Sequence, residues 1–309
     1  MLTRRQAIIA AAALLPTAAD AKNTPVNFAV PNNTCDCHTH IIGDPTKFPF
    51  AASRTYTPQP ASPREMSALH KTLHVKRVVI VTPSVYGTDN SATLYGIQAR
   101  GATARGVAVI DDKISDHDLD ALSAAGIRGI RLNLATAGTT DPATARQRFT
   151  ASANRIKGRN WHLQLYTHAD LIPAIKDLVA ASPVPVVFDH FGGAQTALGP
   201  DQPGFADLIE LLRTGNVYVK ISGAYRASTQ APDYQDAAPF AKGLIVANPD
   251  RILWGTDWPH PDTKASPKVS APLPIDDGRL FNQFPVWSPD PQIRQKILVE
   301  NPARLYGFE

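Results

Sequence analysis

Eight short runs of almost unbroken apolar residues recur along this 309-residue chain, each followed by a stretch with helical spacing. They fall at about Thr34–His40, Arg77–Thr82, Gly106–Ile110, Gly129–Leu134, Leu163–Thr167, Val184–His190, Val217–Ser222 and Ile252–Asp257. Continuous apolar runs, as opposed to alternating ones, mark strands buried on both faces, the property of a parallel sheet covered by helices. Ser62-Pro63-Arg64-Glu65 opens the first helix with a cap, a proline at the first helical position and a glutamate at the third, and the helix runs to about His74. Others are predicted over Ser91–Arg100, Ser115–Ala124, Pro142–Gly158, Ala169–Ala180, Gly204–Arg213, Tyr234–Ala247 and Gln292–Leu305. Eight such alternations predict a closed α/β architecture, the (β/α)8 TIM barrel. An open dinucleotide-binding sheet needs a G-x-G-x-x-G turn after a strand, and none follows any of these runs.

The first residues read as a targeting segment. Thr3-Arg4-Arg5-Gln6 precedes the uncharged run Ala7–Leu15, and Ala19-Asp20-Ala21 has the small-x-small form of a signal peptidase site. Adjacent arginines before a moderately apolar run resemble a twin-arginine export signal. The run is well short of the roughly 20 residues that a bilayer span needs. Residues 1–21 are therefore expected to be an export signal and 22–309 a single barrel domain, acting in the periplasm and free of the membrane once the signal is removed. A formal charge of +4 without a Lys/Arg cluster argues against a nucleic-acid partner. The two cysteines stand in one C-x-C, too close for an unstrained disulfide, and read as packing residues. Two long loops, Ile41 to Pro63 and Pro261 to Pro289, are expected over the barrel mouth, and loops of that length are commonly functional.

Chemistry-bearing residues gather at one end of the strands. Alternation along a strand puts Asp36, His38 and His40 of Cys35-Asp36-Cys37-His38-Thr39-His40 on one face, so two imidazoles converge at the end where this fold carries its active sites. Ser84 follows the second strand, Arg131 and Asn133 lie on the fourth, and Tyr166 and His168 end the fifth. Asp189 and His190 end the sixth, Lys220 and Arg226 flank the end of the seventh, and Asp257 and His260 end the eighth. Each has an ordinary reading alone, as a cap, a snorkelling barrel lysine or half of an ion pair. Jointly they describe a cationic, imidazole-rich pocket suited to an anionic substrate with a polarisable carbonyl. A carboxylate beside histidines stays ionised at neutral pH and can take a proton from water.

The His-x-His of strand one, the histidine of strand six and the aspartate of strand eight resemble the amidohydrolase superfamily. Narrower words extend the resemblance to its 2-pyrone-4,6-dicarboxylate lactonase branch: Phe48-Pro49-Phe50, Arg54-Thr55-Tyr56-Thr57-Pro58, Gly126-Ile127-Arg128-Gly129-Ile130-Arg131, Phe188-Asp189-His190, Trp254-Gly255-Thr256-Asp257-Trp258-Pro259-His260-Pro261 and Asn301-Pro302-Ala303-Arg304-Leu305-Tyr306. The resemblance implies an amidohydrolase-like hydrolase that opens an acidic lactone, such as a pyrone-carboxylate or muconolactone-like compound. It implies Asp257 as general base, with His38, His40 and His190 around the carbonyl. Tyr56, Ser84, Arg131, Tyr166, Arg226 and His260 would hold the substrate. Val219-Lys220-Ile221-Ser222-Gly223-Ala224-Tyr225 is also similar to sugar-lactone relatives, including a galactarolactone isomerase, so isomerisation in the same pocket is the alternative, as is a metal-dependent amidohydrolase or decarboxylase. A periplasmic solute-binding protein closes two lobes around its ligand, and one barrel offers no second lobe.

Two departures from the lactonase pattern bear on the site. The lactonase has a second arginine shortly after strand four, where this chain has Ala135-Thr136-Ala137-Gly138. One carboxylate clamp is thus missing, and the substrate is expected to carry a single carboxylate, or a sulfonate or hydroxyl in the second place. The other departure is His168. Many superfamily members bind a divalent ion through histidines on strands one, five and six and the strand-eight aspartate, and Tyr166 stands at the strand-five position, as in the metal-independent lactonase. No metal is therefore expected, the imidazoles acting as hydrogen-bond donors. His168, two residues on, is the residue that could restore a ligand, giving a Zn or Mn site of His38, His40, His168, His190 and Asp257.

Overall fold

Valine, isoleucine and leucine dominate the eight runs, and each run forms a strand covered on both faces. A computed structural model describes residues 23–263 and 269–309. The export segment expected over residues 1–21 lies outside the described residues. The strands are β1 (Cys35–Thr39), β2 (Arg77–Val81), β3 (Ala104–Ala108), β4 (Ile127–Asn133), β5 (His162–Tyr166), β6 (Val186–Phe188), β7 (Val217–Ser222) and β8 (Ile252–Gly255). Each pairs in parallel with the next along the chain. The two edges then meet. Asp257 N–H donates to the His38 carbonyl and His40 N–H to the Trp258 carbonyl, both at 2.8 Å, and a parallel bridge joins Thr39 to Trp258. The result is the nearly closed (β/α)8 barrel, and the backbone that closes it belongs to the residues whose side chains make the site.

The helices follow the sequence signals closely where a cap is present. Helix α1 (Pro63–Thr72) carries the expected reciprocal bonds between Ser62 and Glu65. It is followed by α2 (Ser91–Arg100), α3 (Asp116–Ala124), α4 (Pro142–Arg155), α5 (Ile172–Ala180), α6 (Phe205–Arg213) and α7 (Ala238–Ala247). The helix expected from Tyr234 starts only at Ala238, because Tyr234 itself takes a left-handed conformation at φ 49°. The last helical run is broken into Pro291–Gln295, a wider π-wound turn at Lys296–Glu300, and Asn301–Tyr306. Among the described residues no helix is long and apolar enough to cross a membrane.

Alternation fails at one informative place. A register shift lies between Asp36 and Thr39 of β1, as in a β-bulge, where an unpaired residue re-aims its neighbours. Asp36 consequently does not share a face with His38. Its carboxylate meets His70 of α1 at 3.2 Å and the Thr256 hydroxyl at 2.6 Å, while His38 reaches across the barrel to Asp189 and Lys220. Cys35 and Cys37 are free thiols packed with Val79, Val81, Val107 and Leu253, in keeping with a packing role. The two long loops are tied together: Thr57–Pro58 pairs in parallel with Val269–Ser270, and two short helices, Asp277–Phe281 and Phe284–Trp287, occupy the second loop.

Candidate active site

Strands β6 and β8 end earlier than their apolar runs suggest, because the residues that follow turn away. His190, Phe191, Asp257 and His260 all have positive φ, between 48° and 66°. Non-glycine residues rarely adopt this region, and it concentrates where a site over-determines the backbone. Gly223, at φ +57°, closes the same corner: a Cβ there would stand 3.0 Å from Asp257 Oδ2 and 3.1 Å from His190 Nδ1.

These turns place Asp257 at the centre. Its Oδ1 faces three imidazole nitrogens, His40 Nε2 at 3.5 Å, His38 Nε2 at 3.6 Å and His190 Nε2 at 3.9 Å. No hydrogen bond reaches that buried oxygen among the described residues. The other oxygen, Oδ2, accepts from the Tyr225 hydroxyl at 2.6 Å and from Arg226 Nε. The opposite side of each ring is also occupied. His40 Nδ1 lies 2.7 Å from the Val81 carbonyl, and His190 Nδ1 lies 3.0 Å from Ser222 Oγ. His38 Nδ1 stands 3.2 Å from both Asp189 Oδ1 and Lys220 Nζ. We assign its proton to Nδ1, because the Asp189 carboxylate is the strongest acceptor in reach. With all three protons on Nδ1, the neutral rings turn Nε2 lone pairs towards Asp257.

Electrostatics supports these protonation states. Burial drives the His38 imidazole well below its usual range, with Lys220 adding to the effect against the pull of Asp189. Burial likewise pushes His190 down to about 4, despite Asp257 and Asp189 nearby. Burial alone would raise Asp257, but the Arg226 guanidinium holds its carboxyl well below the carboxylate range. A second buried carboxylate, Asp189, accepts from Arg131 Nε and Gln164 Nε2, each at 3.0 Å, and is ionised by its neighbours His38, Lys220 and Arg131 against the same burial.

The sequence-expected substrate ligands are gathered at this mouth, several of them already engaged. Arg226 is bound to Asp257, so it orients the carboxylate. Arg131 is bound through Nε to Asp189, and its guanidinium carbon lies 4.8 Å from the Tyr166 ring centroid. The Tyr166 ring in turn meets the His190 ring edge-on at 5.5 Å. Tyr56 is buried with its hydroxyl 3.5 Å from Ser84 Oγ. His260 faces protein on both sides, Asp277 at 3.0 Å and the Tyr225 hydroxyl at 3.4 Å. His168 does not join the site. The parity argument needed β5 to continue through it, but the strand ends at Tyr166 and His168 is exposed at the start of a short 3-10 turn. Tyr225, Asp277, Ser222 and Gln164 were missed by sequence reasoning. Tyr225 and Ser222 had a signal, both as parts of the Val219–Tyr225 word, whereas Asp277 arrives from a loop. Groups of His and Asp that could hold a metal ion do form here, His38 with His40 and Asp257 and His38 with Asp189 and His190.

The amidohydrolase family profile matches residues 35–308. This chain belongs to that family. Within it, the chain is 37% identical over 291 residues to 2-pyrone-4,6-dicarboxylate hydrolase of Comamonas testosteroni, covering 91% of this chain and 92% of that one. It is 34% identical over 293 residues to 4-sulfomuconolactone hydrolase of Rhizobium radiobacter, covering 93% and 94% respectively. A solved apo structure from Agrobacterium tumefaciens, 28% identical, matches with a TM-score of 0.77 over 92% of this chain and 99% of the other.

Proposed function

We propose that this protein hydrolyses the ring ester of a small acidic lactone. The observation that carries the reading is the unpartnered Asp257 Oδ1, buried at the barrel mouth among three imidazole nitrogens, with Arg131 and Arg226 nearby. Relatives at 37% and 34% identity bear the names of hydrolases for two acidic lactones. Asp257 Oδ1 takes a proton from water as the water oxygen bonds to the lactone carbonyl carbon. The resulting oxyanion collapses, the ring C–O bond breaks, and the proton returns from Asp257 to the leaving ring oxygen. Arg226 and Tyr225 hold Oδ2, so the proton-accepting oxygen is fixed before substrate arrives.

His38, His40 and Asp257, whose ligand atoms lie within 4.8 Å of one another, could hold a single divalent cation, with His190 Nε2 3.9 Å from Asp257 Oδ1 beside them, and these donor types suit zinc or manganese. Rings whose protons are committed to Val81, Asp189 and Ser222 have none to offer a substrate carbonyl, which is the physical case against the metal-free, hydrogen-bonding role expected for them. Bound there, an ion would supply Lewis acidity at the carbonyl.

Turnover of carboxylated lactones in ¹⁸O-labelled water tests the reaction. Label should appear in the product carboxylate, whereas an isomerase using a substrate hydroxyl leaves none. Asp257→Asn should abolish turnover with the fold intact, since an amide cannot take the proton; more than about a tenth of wild-type turnover would rule Asp257 out as base. We also propose export to the periplasm on the strength of the Arg4-Arg5 segment and the Ala19-Asp20-Ala21 site. Cell fractionation that finds the protein in the cytoplasm with residues 1–21 retained would overturn this.

A further inference from the structure

Beside the mouth lies a cavity of about 410 Å³, lined among others by Arg54, Ser84, Arg131, Asn133 and Arg148. It shares Ser84 and Arg131 with the candidate site, does not count Asp257 in its lining, and is walled by the first long loop, the ends of β2 to β4 and helix α4. No carboxylate lines it among the described residues. Of its three guanidinium groups, only Arg131 has an acidic partner among the described residues, Asp189. Arg148 donates to the neutral Thr139 hydroxyl at 3.2 Å, and Arg54 to the Thr57 hydroxyl at 2.8 Å and the Ala51 carbonyl at 3.3 Å. The Arg54 guanidinium also sits over the Phe50 ring at 5.7 Å. In the same wall, Asn133 Oδ1 is buried with no hydrogen-bond partner among the described residues. Two half-buried, uncompensated guanidinium groups facing one concave space favour an anion there, and their planar donor forks match carboxylate and sulfonate oxygens.

We propose that this cavity is a second anion subsite, in which Arg148 of α4, with Arg54 opposite, binds an acidic group of the substrate distal to the lactone carbonyl. This rests on the lactonase reading. It also replaces the expectation that a missing arginine after strand four leaves room for only one acid, because the second cation comes from a helix twelve or so residues further along and from the opposite loop.

Two measurements separate this inference from the lactonase assignment. Binding of isophthalate and benzoate, which no hydrolase can open, reads the subsite without turnover. The wild type should bind isophthalate tighter than benzoate, and Arg148→Met should shrink that preference by about 10- to 100-fold, the loss expected for a charge-assisted contact, with Arg148→Lys retaining part of it. Arg54→Met should shrink it in the same direction. On lactones, the ratio of kcat/KM for a diacidic over a monoacidic substrate should fall in parallel. An isophthalate preference absent in the wild type, or unchanged in both Arg148→Met and Arg54→Met, overturns the subsite. Retained isophthalate preference with no lactone opened by the wild type would overturn the lactonase reading while leaving the anion subsite standing.

Discussion

Tyr225 shows how a single hydroxyl sets the chemistry of its neighbour. It donates to Asp257 Oδ2 at 2.6 Å and is itself backed by His260, which is held by Asp277 at 3.0 Å. Burial raises the Tyr225 hydroxyl well above its ordinary range, so it keeps its proton and remains a donor. Tyr225→Phe should therefore leave Asp257 with Arg226 alone on Oδ2 and a freer carboxylate. The expected outcome is a fall in kcat of about 10- to 100-fold at nearly constant KM, the loss of one charge-assisted hydrogen bond that orients Asp257 as the proposed base. Steady-state kinetics on any lactone the wild type opens would check this, and a pure KM effect would show instead that the hydroxyl touches substrate.

At the scale of elements, the site exists because β6 and β8 stop early and turn into left-handed backbone, with Gly223 filling the corner after β7. That corner has no room for a methyl group, since its Cβ would press on Asp257 Oδ2 at 3.0 Å and His190 Nδ1 at 3.1 Å. Positive φ adds a conformational cost of roughly 1 kcal/mol for alanine. Gly223→Ala should consequently lower both melting temperature and kcat, the latter by at least tenfold, because misplacing a reacting group by a fraction of an ångström is enough to lose that much. A variant with altered stability but full turnover would show that Asp257 and His190 tolerate the push.

For the whole molecule, buried neutral histidines and buried ionised aspartates make stability sensitive to acid in a defined order. His162 is pushed down to about 3, by burial first and Lys220 second, and His190 to about 4. Unfolded, each takes a proton near pH 6.5, so below that value the unfolded chain binds more protons and stability falls at about 1.4 kcal/mol per pH unit for each group, until the folded values are reached. Asp189, held below the carboxylate range, contributes stability that is present above about pH 3.9 and is lost only as pH falls through its folded value. The melting temperature should thus begin to fall below about pH 6.5, well before carboxylates titrate. His162→Gln should flatten the slope between pH 6.5 and 5 by about one proton; an equal slope in both proteins would mean His162 is not the group responsible. Metal dependence also belongs at this scale. Exhaustive chelation should remove activity and zinc or manganese restore it, because the three rings present lone pairs to one carboxylate oxygen. Undiminished turnover in metal-free protein would show that the imidazoles act by other means.

Local pattern was enough to determine the eight strands, the capping box of α1, the parallel barrel and the words that place His38, His40, His190 and Asp257 at one end of it. Each of these depends on residues within a few positions of one another, through burial on both strand faces or through helix caps, and so is written in short stretches of chain. Tertiary structure alone decided how the groups are used. A bulge in β1 sent Asp36 to His70 and His38 to Asp189; the early end of β5 kept His168 out; and Arg226 was drawn to Asp257, with Arg148 of α4 brought to the cavity that Arg131 lines. These outcomes depend on which groups meet across the barrel, where low dielectric makes an unpaired buried charge costly, and that choice has no local signature in the chain.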